Sequence, residues 1–159
     1  MKKFILSTAI AVMGLVGLNA QSTGFEAGAF VGFPMGDAGD LYSFNFGITA
    51  GYYWNVGEGF QAGVVTGYDN FSGKTVMGYK VPAFGAIPIA ASAKYYFDQF
   101  FVGADLGLGI GTSTGAGSAF YYRPRVGYGM TSLDIYAFYK GYSNNGSVSS
   151  IGVGAAYKF

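Results

Sequence analysis

The chain has 159 residues, room for one domain, and 51% of them are apolar and 19% aromatic against only 11% charged. Ordinary soluble domains carry roughly 25% charged residues, so too few groups remain to solvate an outer surface, and the high hydrophobicity equally excludes disorder. A formal net charge of +1 excludes an electrostatic nucleic-acid binder, and the lack of cysteine and histidine removes disulfides, thiolate nucleophiles, the commonest general base and the commonest metal ligand.

The chain opens with Lys2 and Lys3, then an uncharged apolar run over 5–18, then Asn19-Ala20-Gln21. A basic start, a short greasy run and a small residue at the end predict a secretory signal peptide over 1–20, cut after Ala20. The run is too short for a spanning helix, which needs about 20 apolar residues. Residues 21–159 then form one domain, in which acidic residues outnumber basic ones by one.

Beyond residue 20 the periodicity is two. Phe44, Phe46, Ile48, Ala50, Tyr52 and Trp54 alternate with Asn45, Gly47, Thr49, Gly51 and Tyr53. One greasy face and one small or polar face describe a β-strand. The same rule predicts eight strands, over 25–33, 43–54, 60–68, 84–97, 100–111, 120–130, 133–142 and 148–159. Each is long enough to cross a bilayer at a strand tilt near 45°. Connections at 55–59, 98–99 and 131–132 are short. Those at 34–42, 69–83, 112–119 and 143–147 are longer or more polar. Short turns on one side and longer loops on the other are the habit of transmembrane barrels. The expected fold is an all-β, eight-stranded, antiparallel up-and-down transmembrane barrel.

Aromatic residues fall at the ends of the apolar face. Tyr52, Trp54, Phe60, Tyr95, Phe97, Phe100 and Tyr128 lie near the short turns and predict a girdle at headgroup level. A soluble barrel would instead carry Lys, Glu and Asp on its second face. Here that face is mostly glycine.

The glycines leave room in a narrow lumen for Phe30, Tyr53, Tyr96, Phe101, Tyr121, Tyr136 and Phe138. Eight charges share this face: Glu26, Lys94, Asp105, Arg123, Arg125, Asp134, Lys140 and Lys158. A two-residue turn at 98–99 pairs Ser92 with Asp105 and sets Lys94 diagonal to Asp105. A turn at 131–132 sets Tyr136 opposite Gly127 and Arg125 opposite Phe138. Glu26 and Lys158 sit on strands that meet at closure, where they would pair. Such charges serve either as a lumenal salt-bridge network or as the lining of a narrow, weakly anion-favouring pore.

Other motifs carry little. Gly73-Lys74-Thr75 lacks the earlier glycine of a phosphate-binding loop, since Tyr68 stands there. The alternate glycines 107, 109 and 111 fit a barrel strand better than a dinucleotide site. Asp37 and Asp40 supply too few oxygens for calcium. No catalytic, metal or cofactor site is expected.

The final strand alternates Ile151, Val153, Ala155 and Tyr157 and stops on Phe159. With the preceding features, the chain resembles small Gram-negative outer-membrane barrels of the OmpA/OmpX-like eight-stranded superfamily. That resemblance implies an outer-membrane location, contact with outer-membrane lipid and lipopolysaccharide, and Tyr157 and Phe159 as a signal to the barrel-assembly machinery. It does not imply one activity. The expectation is a monomeric, non-enzymatic barrel for envelope structure or surface interaction, with Tyr42, Phe71, Met77, Tyr79 and Lys80 as loop contacts. The alternative is a narrow pore or transporter for small or hydrophobic solutes.

Overall fold

The computed structural model describes residues 23–113 and 115–159. The signal peptide expected over 1–20 lies outside the described residues. The elements are β1 (Thr23–Met35), a one-turn helix α1 (Asp37–Leu41), β2 (Tyr42–Gly57), β3 (Phe60–Gly73), a small hairpin of β4 (Thr75–Val76) and β5 (Tyr79–Lys80), then β6 (Phe84–Phe97), β7 (Phe100–Gly111), β8 (Ser118–Gly129), β9 (Leu133–Ser143) and β10 (Ser147–Lys158). Eight strands close into an antiparallel barrel in the order β1-β10-β9-β8-β7-β6-β3-β2. The expected fold class is borne out. Closure pairs every strand on both edges, which a chain without bulk water around it requires.

The alternation sets the faces. Ile48, Leu106 and Val153 point outward and are 62%, 56% and 56% exposed. Among the described charged residues, nine face the lumen and the others, Asp37, Asp40, Glu58, Lys74, Lys80 and Asp98, lie in connections. The outer wall of the eight strands carries none. Water would leave this wall unsolvated, whereas lipid matches it.

Both turn registers hold as spaced. Phe97 faces Phe100 and Ser92 faces Asp105. Arg125 faces Phe138 and Tyr136 faces Gly127. A Cβ at Gly127 would lie 2.8 Å from Tyr136 Cβ and 2.7 Å from the Phe101 ring, so only glycine fits there.

β6 and β7 keep their predicted loop-side ends, at Phe84 and Gly111, and the other barrel strands outrun theirs. The loop composition of Asp69, Asn70 and Ser72 predicts that the third strand ends at Tyr68, but β3 continues to Gly73. Asp69 and Phe71 keep the inward alternation and are 1% and 0% exposed. Polar residues stay in the strand because the lumen supplies a partner for Asp69. The loops are correspondingly shorter, and the longest, 74–83, contains the β4–β5 hairpin.

Two prolines interrupt the ladder. Beside Pro88 of β6, the pairing with β3 skips Gly67 and Tyr68. Beside Pro124 of β8, the pairing with β9 skips Arg123 and Pro124. Proline has no N–H to donate, so each break follows from the sequence. An outward tyrosine lies near each break, over a glycine of the facing strand. Tyr68 covers Gly85, and Tyr122 covers Gly141 and packs on Tyr139 at 6.2 Å.

Candidate functional site

Two regions carry chemistry: the charged lumen and the loop-end hairpin. At the turn side of the lumen, Lys94 Nζ donates to Glu26 Oε1 at 2.5 Å and to Asp134 Oδ2 at 3.2 Å. The Tyr96 hydroxyl donates to the same Asp134 oxygen at 2.6 Å, and Lys158 Nζ lies 2.9 Å from Asp134 Oδ1. Glu26 and Lys158 are register partners, but each takes a different counter-ion, so the expected seam pair does not form. Lys94 likewise turns away from Asp105. Lys94 also stands 4.1 Å over the Tyr53 ring, which adds a cation–π contact.

At mid-lumen, Asp105 accepts from Arg123 Nε at 2.8 Å, from Ser92 Oγ at 2.5 Å and from Arg125 Nη2 at 3.2 Å. Arg125 Nη2 also donates to the Tyr53 hydroxyl at 2.6 Å. Tyr53 stands on β2 and Arg125 on β8, four strands apart in the closed order, so this bond crosses the full lumen. A void of about 10 Å³ remains beside Arg123 and Arg125. That is at the lower limit for one water.

At the loop side, Lys140 Nζ donates to Asp69 Oδ1 and the Tyr142 hydroxyl to Asp69 Oδ2. Lys140 stands 3.6 Å over the Phe30 ring. Above this pair Phe71 packs against Tyr42, Phe84 and Tyr142, at ring separations of 5.7, 5.8 and 6.4 Å. These rings cap the lumen. Phe71, expected as a loop contact, is fully buried because β3 carries it inward. Tyr42 is half-buried against it.

The sequence reading missed Asp69 and Tyr142, and with them the pair Asn45 and Ser150, joined at 3.0 Å. The signal was present: period two continues through Gly67, Asp69 and Phe71.

The other expected contacts are exposed. Met77 is 96% and Tyr79 80% exposed, and Lys80 is exposed beside them. Lys74 Nζ donates to Gly39 O at 2.6 Å and ties the hairpin base to α1. Met77 and Gly78 turn the hairpin with φ of 51° and 82°. A two-residue hairpin loop with both φ positive normally takes Asn-Gly, so methionine there is strained.

At the opposite rim, Tyr52 packs on Trp54 at 4.9 Å, and Phe100 on Tyr128 at 5.5 Å. Tyr95 lies against Phe97, and Phe60 is exposed. Phe159 packs on Phe25 and Tyr157 at 5.4 and 4.9 Å.

Solved structures share this fold. The chain is similar to the outer-membrane protein Ail of Yersinia pestis, with a TM-score of 0.56 at 16% identity, covering 84% of this chain and 99% of that one. Neisserial surface protein A gives 0.54 at 18% identity, covering 87% and 98%. A designed transmembrane β-barrel gives 0.57 at 12% identity, covering 86% and 95%. The fold is that of small transmembrane barrels. No protein-family model matches the chain, and no curated protein matches it. The likeness therefore speaks to the fold, which a designed barrel adopts as well.

Proposed function

We propose that the chain is an integral outer-membrane barrel that works without enzymatic chemistry, as a rigid carrier of the β4–β5 hairpin for surface interaction or envelope structure. The observation that carries this reading is the contrast between a lumen filled by paired charges and rings and a loop end that exposes Val76, Met77, Tyr79 and Lys80. A strained, fully exposed methionine brings no packing to the barrel. Its position at the exposed tip fits a contact role. In this reading the short turns face the periplasm and the hairpin faces outward. Tyr157 and Phe159 serve the barrel-assembly machinery. Lipid and lipopolysaccharide surround the wall, and the barrel acts as a monomer. The packed lumen weighs against the alternative of a pore.

The absence of native cysteine makes the test clean. Met77→Cys and Asp98→Cys are expressed separately in a Gram-negative host and treated with a membrane-impermeant maleimide. Met77→Cys is expected to label in intact cells, and Asp98→Cys only after the outer membrane is opened. The reverse pattern, or labelling of neither in purified outer membranes, overturns the reading.

A further inference from the structure

Outside the barrel, at the turn end, the wall is not smooth. Val102, Val126, Ala137 and Val153 stand directly opposite one another on β7, β8, β9 and β10 and form a low row. Phe97, Phe100 and Tyr128 rise beside it. Together with backbone over the inward residues they border a shallow, open groove of about 480 Å³. Ala137 is the small residue in the row, and its missing bulk makes the depression. The Tyr128 hydroxyl donates to Gln99 Oε1, which fixes one wall against the turn.

The groove has a polar end. Asp98 sits in the turn between Phe97 and Phe100, is exposed, and among the described residues makes no ion pair. Glu58 lies in another turn of the same rim. The basic residues on this side, Lys94 and Lys158, are held in the lumen by Glu26 and Asp134. Among the described residues, the rim above the groove thus carries exposed carboxylates, and its one partly exposed base, Lys158, is already paired with Asp134. An anionic headgroup is disfavoured there and a cationic one favoured.

We propose that this groove takes one acyl chain of a phospholipid whose headgroup ends in a primary ammonium, with the ammonium paired to Asp98. The occupant follows from position and charge: the groove opens on the lipid-facing wall, and the carboxylate stands at headgroup level. The proposal rests on the barrel spanning a membrane, and does not depend on what the β4–β5 hairpin contacts.

The probe is an equal mixture of phosphatidylethanolamine and phosphatidylglycerol with matched acyl chains. Refolded full-length barrel in micelles is loaded with it, and the lipid that survives gentle detergent stripping is counted by native mass spectrometry. The wild type is expected to retain one lipid, with about threefold preference for phosphatidylethanolamine, the size expected of one solvent-accessible ion pair. Asp98→Asn should keep the lipid and lose the preference. Ala137→Leu should lose the lipid, whereas Ala29→Leu, on the outer face of β1, should retain it. Heat-shifted gel migration verifies that each variant is folded, and Val102→Phe replaces Ala137→Leu if that variant fails. Equal retention of both lipids by the wild type, or retention unaffected by filling the groove, overturns the proposal. Either result leaves the labelling pattern of Met77→Cys untouched.

Discussion

From the short turns to mid-lumen, seven charges interlock; towards the loops, one lysine faces one aspartate. Asp134 alone meets Lys94 and Lys158, and Asp105 meets Arg123 and Arg125. Lys140 has Asp69 as its one carboxylate, under a cap of aromatic rings. Burying a charge is costly unless it is paired and hydrogen-bonded. The turn side meets that cost with shared partners, so a single loss there can be spread. The loop side meets it with one strut between the opposed strands β3 and β9 and leaves the rest of the space to Phe71, Tyr121 and Tyr142. Redundancy, not total charge, separates the two regions.

Asp105 is where the redundancy fails, and the largest effect is expected there. Asp105→Asn leaves both arginines without a carboxylate, and should cost about 3–5 kcal/mol of stability. Urea unfolding in lipid vesicles measures it. Asp69→Asn strands Lys140 alone and should cost about 3 kcal/mol. Replacing the whole strut, by Asp69→Leu with Lys140→Met and Tyr142→Phe, should recover most of that loss, because apolar residues of similar size remove the buried charge altogether. Glu26→Gln should cost only about 1 kcal/mol, since Lys94 keeps Asp134 and a neutral acceptor remains. Equal losses for Glu26→Gln and Asp69→Asn would erase the distinction between the two regions.

The same struts decide whether the lumen conducts. Arg125 spans from β8 to Tyr53 on β2 and closes mid-lumen. Planar-bilayer recordings of the wild type are expected to show no discrete openings. Arg123→Ala with Arg125→Ala should show brief small ones, because the crossing side chains are gone while the aromatic cap remains. Steady wild-type conductance would favour the pore over the carrier reading.

Much of this is legible in the sequence. Period two placed Lys94, Asp105, Arg123, Arg125, Asp134 and Lys140 on one face, and two-residue turns fixed their registers. Partner choice was not legible. Register sets Glu26 beside Lys158, yet Lys94 reaches Glu26 across the narrow lumen from β6, and Lys158 turns instead to Asp134 on its other neighbour, β9. The upper boundary of β3 was hidden for a related reason. Asp69, Asn70 and Ser72 have loop composition, and only their contacts inside the barrel justify a strand. The proline breaks were visible as residues at 88 and 124, but the tyrosines near them depend on cross-strand geometry that no local pattern shows.

Those breaks give a smaller comparison within the wall. Tyr122 covers Gly141 beside the β8–β9 gap, and Tyr68 covers Gly85 beside the β3–β6 gap. Tyr122→Ala should cost about 0.5–1 kcal/mol, the worth of one cross-strand aromatic contact. Amide exchange should speed at β8 and β9 while β1 and β10, whose ladder is continuous from Glu26 to Met35, stay protected. Uniform acceleration around the barrel would show that the tyrosine supports the whole wall rather than one seam.

The smallest effect belongs to the hairpin, and its sign is the point. Every change above removes something the barrel uses. Met77→Asn removes a residue from a left-handed conformation it disfavours and installs one that tolerates it. The β4–β5 amides should gain protection, by about 1 kcal/mol at most. Global unfolding should not move, because the hairpin lies outside the closed sheet. Local gain without global change would mean that Met77 is kept at the tip against local stability, for what its exposed side chain touches. A loss of protection would mean that the methionine anchors the hairpin, and the contact role would lose its main support.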